Sequence, residues 1–196
     1  MFTGIIECIG IVEKIEKNGT NTGFWISSPI STALKADQSV AHNGVCLTVE
    51  AVQDNWHLVT AIAETLQKTN LGQLTPGNKI NLERCMVMNG RLDGHLVQGH
   101  VDCTAICTEV SNLNGSWEFS FLFPSAFAPL VIEKGSICVN GISLTCFAVT
   151  ENSFKVAIIP YTYTHTNMGL IAINTEVNLE FDIIGKYILR METLKK

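Results

Sequence analysis

Much of this chain alternates inward and outward side chains with a period of two. Trp117, Phe119, Phe121 and Phe123 are interleaved with Glu118, Ser120 and Leu122, the pattern of a strand with one buried face. Residues 45–52, 56–62, 142–149 and 154–159 are further β-rich runs. Asn-Gly pairs at Asn18, Asn43, Asn89, Asn114 and Asn140 punctuate them. Both residues of that pair tolerate positive φ, which tight turns between strands demand. Many short strands with dense turn signals predict a barrel or sandwich. Helical signal is thin: 31–34 and 125–130 suit single turns. Ile184, Tyr187, Ile188, Met191 and Leu194 then fall at helical spacing. This terminal helix carries one apolar stripe that needs cover, from its own barrel or from another subunit.

The chain is nearly doubled. Asn43-Gly44-Val45-Cys46-Leu47-Thr48 returns 97 residues later as Asn140-Gly141-Ile142-Ser143-Leu144-Thr145. Thr69-Asn70-Leu71-Gly72 returns as Thr166-Asn167-Met168-Gly169, and Asn81-Leu82-Glu83 as Asn178-Leu179-Glu180. Near the start, Gly4 corresponds to Gly99, an offset of 95. A period this long marks two domain copies rather than a solenoid. The loop-like stretch 89–94 divides the chain into 1–93, 94–182 and a tail, 183–196. Two copies can bind two copies of one ligand, and chemistry is expected where the copies differ.

Composition narrows the class. With 46% hydrophobic and 16% charged residues the chain is neither disordered nor membrane-like, and no apolar run is long enough to span a bilayer. The scattered Lys and Arg, at net charge −5, leave no nucleic-acid footprint. Seven cysteines and no leader-like N-terminus suggest reduced thiols in a cytoplasm. Cys103 and Cys107 share one strand face and read as small buried apolar residues.

His100 aligns with Ile5, so a titratable group stands in one copy where the other is apolar, which suggests proton transfer or a polar ligand contact. His95 has no counterpart and reads as structural or supporting. The two histidines are five apart, facing opposite sides of a strand with no third ligand, so no metal site is expected. Cys46 with Thr48, and Ser143 with Thr145, each present two polar groups to one side. Solvated strand residues would look the same, but the repetition favours a ligand. Glu64-Thr65 against Tyr161-Thr162 suggests a hydroxyl-rich edge for a polyol, although Glu64 equally suits a solvated surface. Asp182 stands opposite Cys85; it also suits the N-cap of the terminal helix. No glycine-rich nucleotide fingerprint, Walker sequence or nucleophile elbow is present, so no cofactor is expected.

Taken in order, Met1-Phe2-Thr3-Gly4-Ile5-Ile6-Glu7, Ala41-His42-Asn43-Gly44-Val45-Cys46-Leu47-Thr48-Val49, Glu64-Thr65-Leu66 with Thr69-Asn70-Leu71-Gly72, Gly94-His95-Leu96-Val97-Gln98-Gly99-His100-Val101 and Asn140-Gly141-Ile142-Ser143-Leu144-Thr145 resemble the riboflavin synthase family over essentially the whole chain. The resemblance implies an all-β fold of two six-stranded Greek-key barrels plus the terminal helix. It implies a cytoplasmic homotrimer whose active sites lie between the N-terminal barrel of one chain and the C-terminal barrel of another. Two 6,7-dimethyl-8-ribityllumazine molecules meet there, and a four-carbon unit passes between them, giving riboflavin and 5-amino-6-ribitylaminouracil without a cofactor. Association with lumazine synthase stays open.

Carried to matching positions, the resemblance puts catalysis on His100, Ser143, Thr145, Asp182, Cys46 and Phe2, with His100 and Ser143 together assisting methyl deprotonation. It puts substrate binding on Gly4, Ile5, Ile6, Cys46, Leu47, Thr48, Thr60, Ala61, Ile62, Ala63, Glu64, Thr65, Gly99, His100, Val101, Lys134, Ser143, Leu144, Thr145, Ala157, Ile158, Ile159, Pro160, Tyr161 and Thr162. Tyr161 departs from the acidic residue that the family often has. Non-catalytic lumazine or flavin carriers of bioluminescent bacteria share the doubled barrel and are the alternative class; retention of His100, Ser143 and Thr145 favours the enzyme.

Overall fold

The structure, a computed structural model, describes residues 1–195. In the first half the strands are β1 (Cys8–Asn18), β2 (Asn21–Ser27), β3 (Ser39–His42), β4 (Val45–Gln53), β5 (Trp56–Ala61) and β6 (Lys79–Arg84). The second half repeats them as β7 (Cys103–Asn112), β8 (Trp117–Leu122), β9 (Ser136–Val139), β10 (Ile142–Phe147), β11 (Ser153–Ile158) and β12 (Glu176–Phe181). Each set closes into an antiparallel barrel, in the order β1-β2-β5-β4-β3-β6 and its equivalent β7-β8-β11-β10-β9-β12.

The period-two pattern fills both interiors. Phe24, Ile26, Val40, Leu47, Val49, Val59, Ile80 and Leu82 fill the first barrel. The second is more aromatic, with Phe119, Phe121, Phe154 and Phe181 fully enclosed. β-Bulges at Val12–Lys14, Val49–Ala51 and Cys107–Glu109 let strands curl around these cores. Cys107 is buried, Cys103 is half-buried against the second core, and both thiols are free.

Short 3-10 helices form where the sequence suggested a turn of helix, one turn at Ser31–Ala33 and two at Ser125–Leu130. Two short helices were not anticipated: α1 (Ala63–Lys68) and α2 (Pro160–His165). Each is a turn and a half long, too short for an apolar period to register. The terminal helix α3 runs Ile183–Thr193; residue 196 of the expected tail lies outside the described residues. Asp182 caps α3, its carboxylate accepting from the Ile184 N–H at 2.9 Å. Lys186 ties α3 to its barrel through Asp102 at 2.6 Å.

The repeated asparagines join the barrels. The Asn81 side chain donates to the Asn140 carbonyl (2.9 Å) and to Asn167 Oδ1 (2.8 Å). In the mirrored arrangement, Asn178 donates to the Asn43 carbonyl (2.9 Å) and to Asn70 Oδ1 (2.9 Å). All six are buried, and each amide finds partners in its copy's counterpart, so burial carries no unpaired-group penalty. At the centre Gly44 meets Gly141: a Cβ on Gly44 would lie 2.7 Å from the Gly141 nitrogen, and its φ is +79°. Only glycine fits there.

Candidate functional site

The opening segment of each copy crosses to the other copy's barrel. Phe2 and Val97 exchange N–H to carbonyl hydrogen bonds at 2.7 and 3.1 Å where the two segments pass. Ser143 on β10 donates its N–H to the Gly4 carbonyl, and Cys46 on β4 donates to the Gly99 carbonyl, both at 2.8 Å. Ile6 therefore packs on the core of the second barrel and Val101 on that of the first. Both glycines are required. Their φ values are +78° and +81°, and a Cβ on either would sit 2.6 Å from the Cβ of Ser143 or Cys46.

On the first barrel this crossing shapes a pocket of about 250 Å³ lined by Cys46, Glu64, Thr65, Lys68, Gly99 and His100 among others. It lies on the outer surface, because β4 turns Cys46 and the exposed Thr48 outward and Leu47 inward. Burial pushes the Cys46 thiol pKa up, against the opposing effect of the Ser39 hydroxyl. Cys46 is thus a neutral thiol that offers a hydrogen bond rather than a thiolate nucleophile. Glu64 and Lys68, one turn apart on α1, form an exposed ion pair of 2.9 Å at the rim.

The equivalent place on the second barrel is chemically different. Ser143 Oγ lies 2.7 Å from His95 Nδ1. Burial lowers the His95 pKa, and the nearby Asp182 carboxylate works the other way. A neutral imidazole at this distance can accept the serine proton. At the rim, Tyr161 and His165 stack with ring centroids 4.0 Å apart, at the positions of Glu64 and Lys68. An aromatic edge replaces an ion pair.

These positions revise several expectations. Within the chain Ser143 pairs with His95, which the sequence reads as structural or supporting, and not with His100, which faces the pocket beside Cys46. The odd spacing of the two histidines on an extended segment sends them to different barrels. Phe2 is not at the ligand face of either barrel but fully buried at the seam with Ala41, Val97 and Cys138, and Cys46 packs on the cluster. Leu47, Ala61 and Ile158 point into the barrel cores, so they offer a ligand only backbone. Leu144 also packs inward, half-buried. Lys134 occupies a left-handed turn with its ammonium 5.4 Å from the centre of the Phe147 ring. Ile5, Ile62, Ala157, Ile159, Pro160 and Thr145 are exposed, and Thr60, Ala63 and Thr162 half-buried, around the two outer faces.

Two residues escaped notice although their repetition was visible. Buried Glu83 accepts the N–H and hydroxyl of Thr3 (2.6 and 2.7 Å) and the N–H of Gly4 (3.0 Å). Buried Glu180 accepts the N–H groups of Gln98 (2.6 Å), Gly99 and His100 (both 2.9 Å). Burial raises both carboxyl pKa values, with the donated hydrogen bonds opposing.

The lumazine binding domain family matches the chain twice, over residues 3–85 and 98–182. A riboflavin synthase of Actinobacillus pleuropneumoniae is 41% identical over 189 residues, covering 96% of this chain and 88% of the relative. One of Mycobacterium bovis is 42% identical over 201 residues, covering 97% and 98%. Among solved structures, LumP complexed with riboflavin matches with a TM-score of 0.87 at 22% identity, covering 92% of this chain and 99% of LumP. LumP complexed with 6,7-dimethyl-8-(1'-D-ribityl) lumazine gives 0.84 at 21%. At that identity the likeness is one of fold.

Proposed function

The chain belongs to the riboflavin synthase family, and from that premise we propose how its two half-sites divide the work. The enzyme converts two molecules of 6,7-dimethyl-8-ribityllumazine into riboflavin and 5-amino-6-ribitylaminouracil by moving a four-carbon unit. One lumazine must lose a proton from its C7 methyl group; the other must be attacked and broken. Identical sites would treat both molecules alike, so the reading is carried by the unlike pair: Ser143 with His95 on one barrel, Cys46 with His100 on the other.

In this reading each half of the chain (1–93 and 94–182) supplies one lumazine site. The Ser143 hydroxyl, acting directly or through water, delivers the methyl proton to neutral His95, and Asp182 stabilises the imidazolium that results. Thr145 orients the same lumazine from the outer face of β10. On the first barrel the Cys46 thiol and His100 hold the partner heterocycle, Thr48 and Thr65 bond its polar edge, and Glu64 meets the ribityl hydroxyls. On the second barrel Tyr161 packs against the ribityl chain. Gly4 and Gly99 let backbone approach the pteridines. Fixing both rings in reacting register supplies several kcal/mol of the barrier.

The site is completed by a second copy. Along α3, Ile184, Tyr187, Ile188, Met191 and Leu194 are all exposed within one chain, an apolar stripe that a homotrimer would cover. Cytoplasmic residence fits seven free cysteines.

The test is direct. The purified chain, mixed with 6,7-dimethyl-8-ribityllumazine, should develop flavin absorbance with no added cofactor. Tight binding without riboflavin would leave a non-catalytic carrier and overturn the assignment.

A further inference from the structure

We propose that Glu83 and Glu180 are crossed positioning residues: each carboxylate, built into one barrel, sets the ligand-facing geometry of the other barrel's half-site. Glu180 stands on β12 of the second barrel, yet the N–H groups it holds belong to Gln98, Gly99 and His100. That segment lines the pocket of the first barrel beside Cys46. Glu83 stands on β6 of the first barrel and holds Thr3 and Gly4. Their carbonyls in turn fix the backbone N–H of His95 (3.1 Å) and of Ser143 (2.8 Å).

The chemistry suits this task. Backbone N–H donors in a left-handed turn converge on one side of the chain, and an ionised carboxylate accepts several at once in short, charge-assisted bonds. Each crossing segment has a left-handed glycine, Gly4 or Gly99, whose neighbours need a fixed acceptor to hold the loop against the ligand. Neither carboxylate forms an ion pair among the described residues, so its hydrogen-bonding capacity goes to the segment alone. Hydrophobic packing cannot do the same work, since His100 and Ile5 at the tips are exposed.

A carboxylate that merely stabilised its own barrel would damage the site on that barrel. A crossed positioner damages the opposite one. This inference rests on the reading that each barrel takes one heterocycle, and the experiment separates the two. Riboflavin carrying ¹³C in its ring methyl groups is titrated into the full chain and followed by NMR. Cys46→Ser identifies the bound species on the first barrel, and Ser143→Ala the one on the second. Glu180→Gln keeps the side-chain shape but turns an accepting oxygen into a donor that faces N–H. It should weaken and shift the Cys46-side species about tenfold in affinity, the size expected for losing one charge-assisted bond. The Ser143-side species should stay in place. Glu83→Gln should do the reverse. If either variant fails to fold, Glu180→Asp and Glu83→Asp keep the charge, withdraw the oxygens, and should shift the same species less. Two wild-type species that each respond to the carboxylate of their own barrel overturn the inference alone. A single wild-type species overturns the two-site reading and the inference with it.

Discussion

Acid should weaken the first barrel more than the second, because of two histidines whose counterparts in the second barrel do not titrate. His42 and His57 are fully buried in a chain of hydrogen bonds whose protons are fixed by their partners. His42 Nδ1 lies 3.0 Å from the Val40 carbonyl, which only accepts, so that nitrogen carries the proton. His42 Nε2 then accepts from His57 Nε2–H at 3.0 Å. His57 Nδ1 accepts from Ser31 Oγ at 2.8 Å, and Ser28 donates to Ser31 at 2.8 Å. Every proton is used once, and adding another sets N–H against N–H. Burial, with the facing imidazole, lowers the His42 pKa to about 3, and burial lowers that of His57 to about 4. In the unfolded chain both titrate near 6.5. The unfolded state therefore takes up protons first. Stability is fully present above about pH 6.5 and is lost as pH falls from there toward the folded values. At pH 5 linkage removes about 2 kcal/mol for each ring, about 4 together, a large share of the 5–15 kcal/mol typical of a domain. The second copy has Val139, Phe154 and Ala128 at the positions of His42, His57 and Ser31. Urea unfolding of the wild type and of His42→Val/His57→Phe/Ser31→Ala, at pH 7 and pH 5, isolates the effect as a difference in pH slope. Trp25 and Trp56 report the first barrel and Trp117 the second. Equal losses on acidification in the two proteins would show that the buried imidazoles do not set the pH dependence.

Ser143→Ala and His95→Gln should each cut riboflavin turnover by about 10² or more with a much smaller change in KM, the usual span of general acid–base help; steady-state rates check this, and a KM-only effect contradicts it. Asn81→Ala or Asn178→Ala strands buried amides across the seam and should cost about 2–4 kcal/mol in urea midpoint experiments, with the two barrels unfolding separately; a loss under about 0.5 kcal/mol would show that the seam does not couple them. Cutting the chain before Ile183 should lower the sedimentation coefficient of the native assembly, and an unchanged profile would show that α3 does not hold it.

The strands and their turns were legible in the sequence because their causes are local, whereas closure into barrels rather than sandwiches came only with the family resemblance. A period-two pattern and Asn-Gly turns are written into short windows, and left-handed φ at Asn43, Asn114 and Asn140 is their direct consequence. The seam was half legible. The repeated asparagines were visible, but nothing within a single copy says that Asn81 bonds the other copy's Asn140 and Asn167. The crossing of the opening segments was invisible for the same reason: Gly4 and Ser143 meet across most of the chain. That crossing decides the site. Read copy by copy, His100 belongs with Ser143. Once the segments cross, His100 goes to Cys46 and His95 to Ser143. The five-residue spacing that argued against a metal already placed the two rings on opposite sides. The buried carboxylates Glu83 and Glu180 went unread because a repeated charged residue on a strand resembles a solvated one until burial is known.

One chain type, acting through the two unlike half-sites proposed for it, should perform the whole dismutation. Quantifying consumed and formed species in an anaerobic reaction of the purified chain with 6,7-dimethyl-8-ribityllumazine tests it most directly. One riboflavin and one 5-amino-6-ribitylaminouracil should form for every two lumazines consumed, with no oxidant or cofactor added. A bound lumazine that persists unchanged, or riboflavin formed only when an oxidant or cofactor is supplied, would contradict it.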